Sequence, residues 1–320
     1  MPYITVENLD KHFIVRKKRE KGLLRDKTVI QALQQVSFSV ERGELVGYIG
    51  PNGAGKSTTV KILSGILTPD GGSVQVGGRV PWKERREHVR HIGVVFGQRS
   101  QLWWDVPILD SFSLLKEIYR VPENDYRRRL DALTDALQLG DFLRTPLRLL
   151  SLGQRMRAEL CGSLLHGPEL LFLDEPTIGL DAVSKLALRD FLKEENARNG
   201  TTVLLTTHDM EDIAALCPRV MVLGHGKKLY DGALPDLLSR YDTQRILTVR
   251  YDNGAVLPEL PDSCVVTREA EDIKIVYAPD QMPTAQLISR LQSAGTIREL
   301  TAQPQNIDHL IAAMYREMDL

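Results

Sequence analysis

Cysteine is scarce. The 320 residues hold three, Cys161, Cys217 and Cys264, far apart and without a CxxC pair. That excludes a disulfide scaffold and favours reduced thiols in a cytosolic protein. Long apolar runs are missing too: Leu170 to Leu173 is typical of the longest, against the roughly 18 to 20 residues needed to cross a bilayer. An integral membrane protein is thereby excluded, as are a coiled-coil rod and a disordered tail. Neither sign of charge dominates, with 41 Lys and Arg against 42 Asp and Glu for a net charge of -1, so nothing draws the whole molecule to nucleic acid or membrane. Met1 to Asp10 has no basic stretch followed by an apolar one, and no secretory signal is expected. What remains is ordinary for a soluble globular chain, 42% hydrophobic and 26% charged. Its length predicts two domains at about 150 residues each, with core enough to need no structural metal.

The first part alternates short apolar runs with glycine-rich turns. Val36, Phe38 and Val40 alternate with serines, the period of a half-buried strand. Further strands are predicted at 43–49, 92–96, 170–173, 203–206 and 220–223. The last three are nearly continuous apolar runs, as for strands covered on both faces of a parallel sheet. Helical patterns at 56–63, about 107–138, 152–166 and 182–199 lie between them, which argues for an α/β fold. Past Tyr241 the pattern changes. Leu247, Val249 and Tyr251 alternate, as do Ile273, Ile275 and Tyr277, and a helical pattern at Leu287, Ile288 and Leu291 stops at Gly295. A strand fits 297–301, and Ile307, Leu310, Ile311 and Met314 space out a last amphipathic helix. The reading is a first domain over 1–238 and a small α+β domain over 239–320.

Gly50, Pro51, Asn52, Gly53, Ala54, Gly55, Lys56 and Ser57 match GxxxxGK[ST], with a strand before and a helix after. Glycines let main-chain N–H groups converge on phosphate oxygens, and the helix start adds about half a positive charge at the same point. Lys56 should reach the β- and γ-phosphates, Ser57 should ligate Mg2+, and Thr58 stands where it can donate to the α-phosphate. The apolar strand at 170–173 runs into Asp174 and Glu175. An aspartate there can hold Mg2+ through water, and its neighbour can polarise an attacking water.

Several other stretches carry a resemblance. Leu150, Ser151, Leu152, Gly153 and Gln154 resemble the LSGGQ signature of the ATP-binding cassette (ABC) ATPases, 23 positions before Asp174. Glu175 to Asp181, EPTIGLD, resembles that family's catalytic glutamate and D-loop. His208, in Thr207-His208-Asp209, resembles its switch histidine, and Gln98 its Q-loop glutamine. Phe13 stands where the family stacks an aromatic on adenine. The resemblance spans about residues 3 to 235. It implies an α/β P-loop NTPase cassette, with a mostly parallel sheet core, an antiparallel β subdomain and a helical subdomain, followed here by the small α+β domain.

The resemblance also implies an activity. ATP and Mg2+ are the expected ligands. The loop 50–58 of one copy would face Ser151, Gly153 and Gln154 of a second copy, or of a homologous cassette, across two ATP molecules. Glu175 would orient or deprotonate water, His208 would hold the γ-phosphate, and Gln98, with Ser57 and Asp174, would attend the cation. Asp181 would communicate across the dimer. Leu152 departs from the family's first signature glycine, placing a side chain where backbone usually passes the nucleotide. Separate membrane-spanning permease subunits are implied as partners, no nucleic acid is expected, and the expected place is the cytoplasmic side of the membrane, peripherally bound. The stretches resemble drug-type and small-molecule exporter cassettes most. Polysaccharide export, an importer with a regulatory C-terminal domain, or a soluble non-transport ABC ATPase remain alternatives. Trp103 and Trp104, after the Q-loop, suit an interface or a buried seam equally. Arg16 to Lys27, seven basic residues and two acidic, reads as an insertion between early strands, either solvated or near anionic lipid. His88, His91, His166 and His225 show no ligand spacing, and no zinc is assigned.

Overall fold

In the computed structural model the residues described are 2–18, 25–97, 99–241, 244–252, 257–261, 263–269, 271–304 and 314–317. They form two compact units, Met1–Leu234 and Pro235–Asp319. In the first, β1 (Ile4–Lys18), β2 (Arg25–Val40), β3 (Leu45–Ile49), α1 (Lys56–Leu63), β4 (Gly71–Val76), α2 (Arg85–His88) and β5 (Ile92–Phe96) come in order. Then follow α3 (Ile108–Tyr119), α4 (Glu123–Ala136), α5 (Leu152–Leu164), β6 (Leu170–Asp174), α6 (Ala182–Asn199), β7 (Thr202–Thr206), α7 (Met210–Leu216), β8 (Arg219–Gly224) and β9 (Lys227–Ala233).

Six strands make the main sheet in the order β5-β6-β7-β3-β8-β9. All neighbours are parallel except β9, which runs antiparallel on β8. Every residue of β3 and β7 is buried, as for strands covered on both faces. A second sheet, β2-β1-β4, is antiparallel. Its Ile4, Val6, Leu9, Val36, Phe38 and Val74 share one core with Tyr48 of β3 and Val60, Ile62 and Leu63 of α1. That shared core clamps the segment 50–55 between two sheets. The β1–β4 pairing ends at Asp10–Gly71, whereas β1 and β2 stay paired as far as Lys18–Arg25. The basic stretch expected as an insertion thus begins and ends as continuations of the two strands.

The helical pattern at 107–138 is two helices. Arg120 takes a left-handed conformation (φ 54°) and Pro122, which lacks an N–H and cannot continue a helix, caps α4. Among the described residues no helix is long and apolar enough to cross a membrane.

The second unit holds most of α8 (Leu234–Tyr241), then β10 (Arg245–Tyr251), β11 (Val265–Glu269), β12 (Asp272–Tyr277), α9 (Thr284–Gln292) and β13 (Ile297–Pro304). The boundary read at 238/239 falls inside α8. The sheet order is β11-β12-β10-β13, antiparallel throughout. Because β12 and β13 both flank β10, they run parallel with that strand between them, a split βαβ unit through α9. The alternation read from sequence buries Leu247, Val249, Ile273, Ile275 and Tyr277 on Leu287 and Leu291 of α9. Of the four apolar positions expected on the last helix Met314 is described, and it is buried; Ile307, Leu310 and Ile311 lie outside the described residues.

Candidate nucleotide site

The loop after β3 can be built only with glycine at its tightest points. A Cβ on Gly55 (φ 108°) would stand 2.6 Å from the Ala32 carbonyl oxygen, and Gly50 (φ 153°) presses on the Leu223 carbonyl. Thr59 anchors the start of α1, donating to the Gly55 carbonyl at 3.1 Å and meeting the buried Tyr48 hydroxyl at 3.1 Å. Lys56 is buried, and its Nζ donates to the Gly50 and Pro51 carbonyls at 2.6 and 3.2 Å. Burial pulls the pKa of this ammonium down, partly countered by the charges of Glu175 and Asp174. A cation held by neutral carbonyls at the start of a helix suits an anion.

Asp174 ends β6 beside this loop. Ser57 Oγ donates to its Oδ1 at 3.1 Å and Thr206 Oγ1 to the same oxygen at 2.5 Å. Thr206, at the end of β7, carried no sequence signal of its own, because only the parallel pairing brings it opposite Asp174. Glu175 leaves the strand in the left-handed region (φ 57°), a sparsely populated conformation for a side-chain-bearing residue. Its N–H still donates to the Thr206 carbonyl at 2.9 Å, while its carboxylate meets His208 Nδ1 at 2.7 Å. His208 is 63% exposed and Glu175 23%, so the pair faces outward beside Ser57 and Asp174.

Ser57 and Asp174 offer hard oxygens, the donors Mg2+ prefers. No cluster of three or more His, Cys, Asp or Glu among the described residues is arranged to hold a metal ion. The two residues therefore fit a cation that takes its other ligands from phosphate and water. Gln98, the third residue assigned to the cation, lies outside the described residues. Phe13 lies on β1 opposite Ile30, 36% exposed, with the Lys11 ammonium 5.6 Å from its ring.

The signature residues gather elsewhere. Ser151 caps α5: its hydroxyl accepts the Gln154 N–H at 3.2 Å and its own N–H donates to Gln154 Oε1 at 2.9 Å. Asp181 caps α6, accepting the Ser184 N–H at 2.8 Å and the Ser184 hydroxyl at 3.1 Å, and these bonds hold its carboxyl below the usual range. Among the described residues no hydrogen bond or ion pair joins 151–154 to 50–58 of the same chain. Trp103 and Trp104 are 40% and 51% exposed, with Leu149 at 62% close by, since the Arg148 N–H donates to the Trp104 carbonyl at 3.1 Å. That favours an interface over a buried seam.

Comparison with known proteins agrees with this geometry. The ABC transporter family model matches residues 33–178. The ATP-binding protein NatA of Bacillus subtilis is 31% identical over 225 residues, 70% of this chain and 90% of that one. The linearmycin resistance ATP-binding protein LnrL of the same organism is 34% identical over 233 residues, 72% of this chain and 73% of that one. A dimeric post-hydrolysis state of an ATP-binding cassette, bound to ADP and phosphate, superposes with a TM-score of 0.62 at 26% identity, over 72% of this chain and 98% of that one. With the phosphate loop, the strand-end carboxylates and the capped signature helix in place, the chain belongs to the ABC transporter family, as an ATP-binding and ATP-hydrolysing subunit.

Proposed function

We propose that two copies of this chain close head to tail around two ATP molecules and drive a separate membrane-spanning permease toward export, from a peripheral position on its cytoplasmic side. The observation that carries the reading is the His208–Glu175 pair at 2.7 Å beside the Ser57–Asp174 pair at 3.1 Å. The first pair supplies a base and a positioned donor for water, and the second a cation seat beside the phosphate loop. In this reading Lys56 exchanges two loop carbonyls for the β- and γ-phosphates, and the N–H groups of 50–58 take the remaining phosphate oxygens. Phe13 stacks on the base. Ser57 and Asp174, with Gln98, would hold Mg2+, whose charge would offset that of the phosphates. Glu175 accepts a proton from the attacking water as its oxygen bonds the γ-phosphorus and the β–γ bridging oxygen leaves with ADP, and His208 keeps that water and the γ-phosphate in line. Ser151, Gly153 and Gln154 close the partner copy's site with the start of α5, where the helix dipole favours anionic phosphate. ATP thereby binds the closed pair better than the open one, and that difference is what moves the permease.

The drug-resistance name of LnrL supports export. The exposed Trp103, Trp104 and Leu149 form the aromatic, apolar patch on which a permease segment would land. Glu175→Gln is the test. Turnover should fall by about 10²–10⁴, the contribution of a positioned base, while ATP binding persists and ATP-bound dimers accumulate in solution scattering. Near-normal turnover, or monomers alone at saturating ATP, would refute it.

A further inference from the structure

The first two residues of α5 lie against the loop that leads into α6 and against the first turn of α6. A Cβ built on Gly179 (φ 72°) would stand 2.7 Å from Cδ2 of Leu152, and one built on Gly153 would stand 2.5 Å from Ser184 Oγ. Leu152, the residue that departs from the family signature, thus lays the tip of its side chain over Gly179 of the D-loop while remaining 39% exposed. Ser184 is pinned in turn to Asp181 by its N–H and hydroxyl.

The next residue continues the connection. Lys185 Nζ forms an ion pair with Asp209 Oδ2, and Arg189, one turn on, lies 3.7 Å from the other oxygen. Asp209 caps α7 by accepting the N–H groups of Glu211 and Asp212 at 3.1 and 3.3 Å, and its own N–H donates to Thr207 Oγ1 at 3.0 Å. It directly follows His208, whose Nδ1 meets Glu175. Packed contacts, caps, one ion pair and chain neighbours thus run unbroken from the signature turn to the histidine.

We propose that Leu152 and Lys185 are positioning residues that join the signature turn, the D-loop and the switch loop of one chain into a single moving block. The placing of the signature turn against a partner's nucleotide then sets how His208 meets Glu175. The inference rests on the roles proposed for those two residues. Leu152 serves it by bulk, lying over Gly179, and Lys185 by charge, holding an aspartate whose other cationic neighbour, Arg189, stands farther off at 3.7 Å.

The test is a double-mutant cycle on the full chain, with Leu152→Gly, Lys185→Met and both together. Each single change should lower kcat about tenfold, with KM for ATP within about twofold because the phosphate loop is untouched. The double should also lose about tenfold, not about a hundredfold, because both changes cut one connection. Leu152→Met and Lys185→Arg should restore turnover. Amide exchange over 206–212 should quicken in Leu152→Gly, although residue 152 is remote in sequence. Additive losses, a change confined to KM, a Leu152→Gly variant as fast as wild type, or unchanged exchange over 206–212 would each overturn the linkage. Should Lys185→Met fail to fold, Asp209→Asn breaks the same bridge while an amide oxygen still caps α7. If Glu175→Gln kept its turnover, the role of Glu175 would fall, while the exchange measurement would still judge the linkage.

Discussion

Gly97 directly follows β5, where Phe96 is paired with Asp174, and its N–H donates to the Asp174 carbonyl at 2.8 Å. A Cβ at this position would stand 2.1 Å from the Glu175 carbonyl oxygen, 3.1 Å from its carbonyl carbon and 3.3 Å from Ile178 Cγ2. The obstacle is backbone that cannot rotate aside, because the Glu175 N–H is bonded to Thr206 at 2.9 Å. Non-bonded heavy atoms settle near 3.5 Å, so Gly97→Ala must part the ends of β5 and β6 by roughly 1 Å. Overpacking of this kind costs about 1–3 kcal/mol of stability. The larger effect falls on chemistry, because Glu175 moves with the strand, and a misplacement of about 1 Å costs about a hundredfold in rate. Steady-state ATP hydrolysis should show that loss in kcat, with ATP affinity nearly unchanged, since Lys56 and its loop lie on β3 and α1. Urea unfolding of the same variant measures the stability term separately. Turnover within about threefold of wild type would refute the reasoning.

Two further outcomes follow from buried charge. The Asp212 carboxylate is fully buried and held by Arg189 Nε at 2.6 Å. Asp212→Ala leaves the guanidinium with the more distant Asp209 and Glu211, at 3.7 and 3.6 Å, and should lower the unfolding free energy by about 1–3 kcal/mol; a loss below about 0.5 kcal/mol in urea titration would contradict this. His166 stacks on Tyr119 at 4.0 Å and bonds the Ile92 carbonyl through Nε2 at 2.9 Å. Burial pushes its pKa down to about 4, so the folded protein leaves it neutral while the unfolded chain takes up a proton below about 6.5. This contribution is complete above pH 6.5 and is lost as pH falls toward 4, by at most about 3 kcal/mol at 1.36 kcal/mol per unit. Urea midpoints of wild type should fall more steeply over that range than those of His166→Phe; parallel curves would reject the assignment.

What was legible in the sequence was what short range decides. The loop at 50–58, the helix opened by Ser151 and the strand ending at Asp174 each declare themselves within about ten residues, by glycine, cap and apolar run. The alternation at 247–251 and 273–277 likewise settled which face of the second sheet is buried. Other elements carry weaker local signals. In β1 the positive φ of Asn8 and register shifts after Val6 and Leu9 break the period of two, and β4 begins with two glycines. Apolar spacing runs past Pro122, so one helical pattern stood for two helices. Thr206, Gly97, Ser184 and Lys185 are silent in sequence because the partners Asp174, Glu175, Gly153 and Asp209 lie 24 to 78 residues away, and only the sheet and the packing around α6 bring them together.

The central strand has a consequence for how the chain is made. β3 is flanked by β7 and β8, with Leu45 beside Val203 and Val46 beside Arg219. The phosphate loop therefore lacks both its walls until residues near 224 have been synthesised, roughly 10–30 s after its own codons are read at ordinary elongation rates. A ribosome that stops before residue 202 releases β3 without either of its sheet neighbours, prey for proteases. One that stops past Ala233 has already delivered every strand of the nucleotide-binding unit.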